Sequence, residues 1–317
     1  MKAAIYSQYG PPEVLQIREV EKPIPKNNEL LVRIKATAVN SGDWRLRKAD
    51  PFAVRFIYGL KRPKLNILGS VFSGEVESAG EEVKNFKAGD QVFGHTDMRF
   101  GAYAEFLCVS ETSSIVLKPA NISHNEAAVI PFGGVTALHF LKKANIKPGQ
   151  KVLVVGASGA VGTAAVQLAR SFGANVTGVC STGNLDLVRS LGAEQVIDYT
   201  KEDFTKNGEI YDVIFDTVKT ISVSRSLRSL TKNGIMILSA AGLPEMLQGL
   251  WVSMTSSRKV LVGVIKHSAS DIIFLKGLIE GGKLKAVIDR TYPLEQIAEA
   301  HAYAEAGHKK GNLSITV

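Results

Sequence analysis

Two cysteines in 317 residues, Cys108 and Cys180, leave no room for a disulfide framework or a four-cysteine zinc lobe. They also lack the CxxC spacing of a metal knuckle or a redox pair, which fits a reducing compartment. The six histidines, at positions 95, 124, 139, 267, 301 and 308, show no ligand spacing, and His95 and His139 read as packing or surface residues. No apolar run reaches the roughly 18 residues that a bilayer span needs. The opening, MKAAIYSQYG, has one lysine followed by strand-like alternation, without the apolar core and small-residue cleavage site of a signal peptide, so the expected location is cytoplasmic. Internal repeats and low-complexity tracts are also missing.

What is present is the composition of a globular protein, 45% hydrophobic and 21% charged, in a chain long enough for one large or two ordinary domains. A net charge of +8 favours an anionic partner, whether nucleic acid, a lipid surface or a small phosphorylated ligand. Up to about residue 120 the pattern is of short alternating segments, KAAIYS, ELLVRIKATAV, SGEVESAG, DQVFGH and GAYAEFLCVS, parted by turn signals. This predicts an antiparallel, barrel-like or sandwich-like β region. It is interrupted at 44–65 by a basic segment with seven Arg or Lys, one Asp and interspersed aromatics, expected to be a loop with a helical turn or two.

Beyond residue 120, apolar β runs at VLVVG, VTGVC, QVID, DVIFD, IMILSA and KVLVGV alternate with helical stretches such as AVGTAAVQLARSF, NLDLVRSLG and SVSRSLRSL. Six such strands with crossover helices predict a doubly wound parallel sheet. The segment from about 268 reads as helix, short strand, helix and closing strand, and is expected to return to the first domain.

The run VLVVGASGAVG places a strand, a glycine-lined turn and a helix in succession, the context in which a glycine pattern signals dinucleotide binding. Ala157, Gly159 and Gly162 take the three critical positions: a tight turn, a close approach of backbone to pyrophosphate, and helix–strand contact. Ser158, Ala160 and Val161 complete the turn, and a helix opening at Ala160 aims unpaired amides and a positive dipole end at phosphate. A tight turn with no ligand is the bland alternative. An acidic residue about 20 positions later would select NAD, but that place reads Cys180-Ser181-Thr182-Gly183-Asn184, with hydroxyls and no carboxylate. NADPH is therefore the expected cofactor, against the alternative of solvated loop hydroxyls.

These segments together resemble the medium-chain dehydrogenase/reductases, and within them the zinc-independent quinone oxidoreductases and enone reductases. MKAAIYSQYGPPEVLQI, ATAVNSGDWRLRK (36–48), AAVIPFGGVTAL (127–138), KPGQKVLVVGASGAVG, LGAEQVIDYTKEDF and DRTYPLEQIAEAHAYAEAGHKKGN all carry the likeness, which covers nearly the whole chain. The resemblance implies an α/β chain with a GroES-like β-barrel catalytic domain at 1–120, completed by 268–317, and an inserted Rossmann domain at 121–267 that binds NADP. It implies hydride transfer to a quinone or an α,β-unsaturated carbonyl. Zinc-dependent relatives place Cys, His and an acid where this chain has Asn40, Ser70 and Val71, so no metal is expected. Quinone reductases of the group often carry Asp at the Val71 position, so an apolar pocket floor and a lipophilic substrate are implied.

By the same resemblance Asn40 and Asp43 lie beside the nicotinamide end, and Thr136 touches the nicotinamide or its ribose. Ser181, Thr182 and Tyr199 surround the adenosine phosphate, with Lys310 or Asn312 approaching it, and Ala240 belongs to the cofactor set. Asn184 and Leu185 stand where relatives often have a lysine, a departure from the NADP pattern. Arg45 is a candidate for an enolate oxygen or a solvated arginine, and Tyr58 a candidate proton donor in competition with water. A homodimer is expected from the apolar edge run KVLVGV. No nucleic-acid partner is expected, although the basic loop 44–65 admits peripheral membrane contact, and the rival to the enzyme reading is a non-catalytic nucleotide-sensing or RNA-binding homologue of the same fold.

Overall fold

A computed structural model describes the whole chain apart from Thr220, Val264, Lys266 and the side chain of Leu243. The described residues form two compact units, Met1–Phe132 with His267–Val317, and Gly133–Lys266. In the first, β1 (Lys2–Ile5) and β2 (Gln16–Glu19) pair antiparallel. There follow β3 (Glu29–Ala38), α1 (Ser41–Lys48), α2 (Val54–Tyr58), β4 (Val71–Ala79), β5 (Gln91–His95), β6 (Phe106–Ser110) and β7 (Ser114–Leu117). Helix α3 (His124–Ala144) contains the division between the units.

The second unit alternates β8 (Lys151–Val155), α4 (Ala160–Ser171), β9 (Asn175–Cys180), α5 (Leu185–Ser190), β10 (Gln195–Asp198), β11 (Tyr211–Asp216), α6 (Val223–Ser226), β12 (Leu230–Leu238), α7 (Leu243–Thr255) and β13 (Lys259–Leu261). The chain then re-enters the first unit through α8 (Ala269–Glu280), β14 (Ile288–Pro293), α9 (Ile297–Glu305) and β15 (Asn312–Thr316).

Strand β3 organises the first sheet. One edge pairs with β4, while the other is shared, β6 covering Glu29–Arg33 and β15 covering Ala36–Ala38. The C-terminal segment thus completes the first unit's sheet. Leu30, Ile34 and Phe72 are fully buried in this core, each worth about 1.5–3 kcal/mol relative to exposure.

The second sheet is parallel throughout, in the order β10-β9-β8-β11-β12-β13. This is the doubly wound arrangement expected from the sequence. Val152–Val155 are buried in succession because helices cover both faces of such a sheet. Reversal of strand order beside β8 makes the β8–α4 turn a topological switch point.

Three local readings need correction. The helix expected at 222–230 stops at Ser226 and continues only as a 3-10 turn, because Leu230 already pairs with Tyr211. Strand β12 therefore starts before the apolar run IMILSA and ends at Leu238, short of Ser239 and Ala240. The run KVLVGV is a strand only over Lys259–Leu261, and its Val264 lies outside the described residues. Helix α7 escaped the sequence reading; it opens with Pro244 in its first turn and Glu245 accepting from the Gly242 amide at 2.7 Å.

Candidate active site

The carboxyl ends of the parallel strands gather the second unit's candidates. At the end of β8, Gly156 has φ +76°, and a side chain there would lie 2.5 Å from Val218. The tight turn therefore belongs to Gly156, not to Ala157, which is fully buried and packs beside Gly178. A Cβ on Gly162 would press well inside contact with the Gly156 carbonyl, so this glycine sets how closely α4 approaches β8.

Gly159 is different. Its φ of −84° suits any residue, and an added Cβ would meet no atom of the fold nearer than 3.5 Å. Packing therefore does not require glycine there. The missing side chain leaves open the approach to the first turn of α4, whose amides at Ala160, Val161 and Gly162 have no earlier carbonyl within the helix to bond. An anionic diphosphate fits that cradle. Gly133, which sequence reasoning passed over, brings the α3 backbone against the carbonyl of Ala160, one helical turn before buried Thr136.

At the ends of β9 and β10, Asn184 donates from Nδ2 to Ser181 Oγ at 3.1 Å and Ser158 Oγ at 3.2 Å, while its buried Oδ1 has no partner. These three expected residues do come together. Thr182 does not offer a free hydroxyl, because it donates to Asp198 Oδ2 at 2.5 Å, and Thr200 donates to the other carboxylate oxygen at 2.7 Å. These hydroxyls hold Asp198 below the usual carboxylate range. Tyr199 is 63% exposed and Ala240 half-buried beyond β12.

The first unit builds a polar cluster around the start of α1. Asn40 precedes the helix, and its amide donates to Asp43 Oδ2 at 2.9 Å, tying the third helical residue back to the entry. Asp43 is fully buried, and burial pushes its carboxyl up to about 7 against the opposing pull of the Asn40 amide, Ser70, Gly69 and Tyr103. Asp43 Oδ1, Asn40 Nδ2, Ser70 Oγ and Tyr6 Oη are all buried without a hydrogen-bond partner. Such a group of unmet polar atoms is costly unless a ligand meets it.

Behind the cluster runs a network that no local pattern announces. Arg47 is fully buried; it donates to His301 Nδ1 at 3.2 Å, the Gly10 carbonyl at 2.5 Å and Glu305 at 2.7 Å. Because arginine only donates, His301 must accept at Nδ1 and carry its proton on Nε2, which lies 3.1 Å from Tyr103 Oη. Burial and Arg47 hold His301 far below its ordinary pKa, hence neutral. The chain of partners fixes Tyr103, and through it the electrostatic setting of Asp43.

Other candidates lie apart from this cluster. Arg45 is exposed on α1 and stacks over Trp44 at 5.3 Å. Tyr58 donates to Met98 Sδ at 3.4 Å and packs edge-on against Phe100. Lys310 and Asn312 belong to the first unit, the Lys310 amide on Asp289 and the Asn312 side chain on the Val287 carbonyl. His95, pushed down to about 3 by burial and His267, stacks on His267 at 3.7 Å, and His139 packs edge-on against Phe140, as packing residues do.

A parallel sheet with its phosphate-type turn at the switch point, in one chain with a unit of GroES type, defines a two-unit dehydrogenase or reductase. The family description "Alcohol dehydrogenase GroES-like domain" matches residues 26–120, and "Zinc-binding dehydrogenase" matches 191–313. A chloroplast envelope quinone oxidoreductase homolog of Arabidopsis thaliana is 34% identical over 99% of this chain and 98% of its own length. A 2-methylene-furan-3-one reductase of Solanum lycopersicum is 33% identical over 99% and 79%. Among solved structures, the quinone oxidoreductase of Coxiella burnetii superposes with TM-score 0.90 at 30% identity, covering 100% of this chain and 99% of that one. The Escherichia coli quinone oxidoreductase complexed with NADPH gives 0.86 at 26% identity, covering all of both chains.

The chain belongs to the medium-chain dehydrogenase/reductase superfamily, within its quinone oxidoreductases and enone reductases. The zinc named in the second family description does not fit this chain. Asn40, Ser70 and Val71 supply neither thiolate, imidazole nor carboxylate, and no group of three or more His, Cys, Asp or Glu able to hold a metal occurs among the described residues.

Proposed function

We propose that this oxidoreductase is an NADPH-dependent, zinc-independent reductase that delivers hydride to a quinone or an α,β-unsaturated carbonyl. The observation that carries the reading is Gly159, a glycine the fold does not need, over helix amides suited to a diphosphate. Bound there, NADPH supplies the hydride. The chain's own task is to bind and orient, and to stabilise charge arising on the acceptor oxygen. Asn40 Nδ2, Ser70 Oγ and Tyr6 Oη are the cluster's buried donors without a hydrogen-bond partner, and Asn40 Nδ2 is the one that does not also act on Asp43. With its carboxyl pushed up to about 7, Asp43 is about half protonated near neutral pH, and its protonated form does not repel that charge. Ser181, Thr182, Asn184 and Tyr199 serve the adenosine phosphate, and Thr136 serves the nicotinamide side.

Purified protein should quench or shift NADPH fluorescence, prefer NADPH to NADH, and consume it with a quinone or enone regardless of EDTA. Failure to bind either nicotinamide would overturn the reading.

The partners on this reading are the small acceptor, a second copy of the chain, and a lipid surface met by the basic loop 44–65. Supporting the second copy, β13 pairs with β12 on one side only, and α7 beside it exposes Leu247, Leu250, Trp251 and Met254. Sedimentation as a monomer at micromolar concentration would remove the dimer. No helix among the described residues is long and apolar enough to cross a membrane. With Cys108 and Cys180 both free thiols, we place the protein in the reducing cytoplasm, which cell fractionation tests.

A further inference from the structure

The basic segment 44–65 divides into two parts with different fates. In its first part Arg45 lies exposed over Trp44, while Arg47 is buried against His301 and Glu305, and Lys48 pairs with Glu305. Its second part, around α2, turns outward. Phe52 is 60%, Phe56 72%, Ile57 66% and Leu60 56% exposed. Lys61, Arg62 and Lys64 are exposed immediately after them, and no acidic residue occurs from Pro51 to Leu65. The segment is braced by hydrogen bonds, Tyr9 donating to the Gly59 carbonyl at 2.8 Å and the Lys64 amide to the Tyr58 carbonyl at 2.7 Å.

From this arrangement we infer that α2 and the turn after it dock on the surface of an anionic lipid bilayer, inserting Phe56, Ile57 and Leu60 at the headgroup boundary while Lys61, Arg62 and Lys64 meet lipid phosphates. Bulky apolar side chains beside a cluster of cations are the two signals that reversible bilayer attachment combines. The geometry disfavours nucleic acid. Stacking on bases needs free ring faces, but Arg55 lies over Phe52 at 5.1 Å and over Tyr9 at 4.8 Å, and Phe52 meets Phe56 edge-on. Ile57 and Leu60 offer nothing to a base and much to acyl chains. The inference extends the partner reading above and does not depend on reductase activity, since it is read from vesicles alone.

The test is flotation of the full chain with vesicles of phosphatidylcholine, with and without phosphatidylglycerol, at low and high salt. The expected result is flotation with the anionic vesicles only, weakening as salt rises. Replacing Lys61, Arg62 and Lys64 by Gln should cost about fivefold in partitioning for each charge removed. A second variant, F56S/I57S, should lose flotation at unchanged melting temperature and unchanged NADPH binding. No flotation of the unaltered chain with anionic vesicles at low salt would overturn the inference. So would wild-type flotation by both variants, or single-stranded RNA bound more tightly than the vesicles in competition.

Discussion

In the proposed function the glycine turn of the second unit and the polar cluster of the first serve the same end, binding and orienting reactants, by opposite means. The turn is made of backbone, from residues 156–162, and its shape follows from which positions lack a side chain. The cluster is made of side chains drawn from Tyr6, Asn40, Asp43, Ser70, Tyr103 and His301, and its properties follow from burial. A backbone site is robust to all but steric change; a buried side-chain site is poised, because each unmet polar atom alters the titration of its neighbours.

Steric change at the turn should have the largest effect. Gly162→Ala forces a methyl against the Gly156 carbonyl, and the expected cost is about 1–3 kcal/mol of stability together with loss of NADPH binding, read by thermal unfolding with and without NADPH. Gly159→Ala separates folding from binding. Stability should stay within about 0.5 kcal/mol of the parent, while NADPH affinity falls by about tenfold or more, about 1.4 kcal/mol in binding free energy. Equal affinity in a titration would show that nothing approaches this glycine.

The cluster should instead reveal itself through pH. Asp43 is raised from 3.8 to about 7 in the folded protein, so the native state holds its proton more tightly than the unfolded chain. Its contribution to stability is full below about pH 4 and is lost as pH rises through 7. Denaturant midpoints of the unaltered protein should decline over that window more steeply than those of Asp43→Asn; parallel curves would mean that the carboxyl is ionised throughout. The smallest expected effect is Ser181→Asp, which should tilt the NADPH:NADH preference toward NADH through repulsion of the added phosphate. An unchanged ratio would put that phosphate elsewhere.

The same contrast governs what the amino-acid order made legible. The parallel sheet, the glycine turn and the return of the C-terminal strand were readable because apolar runs, glycine spacing and turn residues are local signals. Asn40 and Asp43 were reached through contiguous family wording, and the Ser181–Asn184 group through its spacing after the glycine turn. Tyr6, Tyr103, Arg47 and His301 were not, since they meet across separations of up to 254 residues and nothing near any one of them signals the others. A hint did exist: Arg47 follows Asp43 by four residues, on the same face of a helix, and a charged pair there is hard to bury without distant partners. The register jump that lengthens β12 likewise depends on its neighbour β11, beyond the reach of periodicity.

One consequence of the shared edge of β3 concerns the order of events during synthesis. Its Ala36–Ala38 stretch waits for β15, made after the whole second unit has left the ribosome. The second unit is contiguous in the chain and has no such debt, so it can fold while the first still lacks a strand. Shortening the C-terminus by a few residues would therefore injure the earliest-made part of the protein and spare the middle.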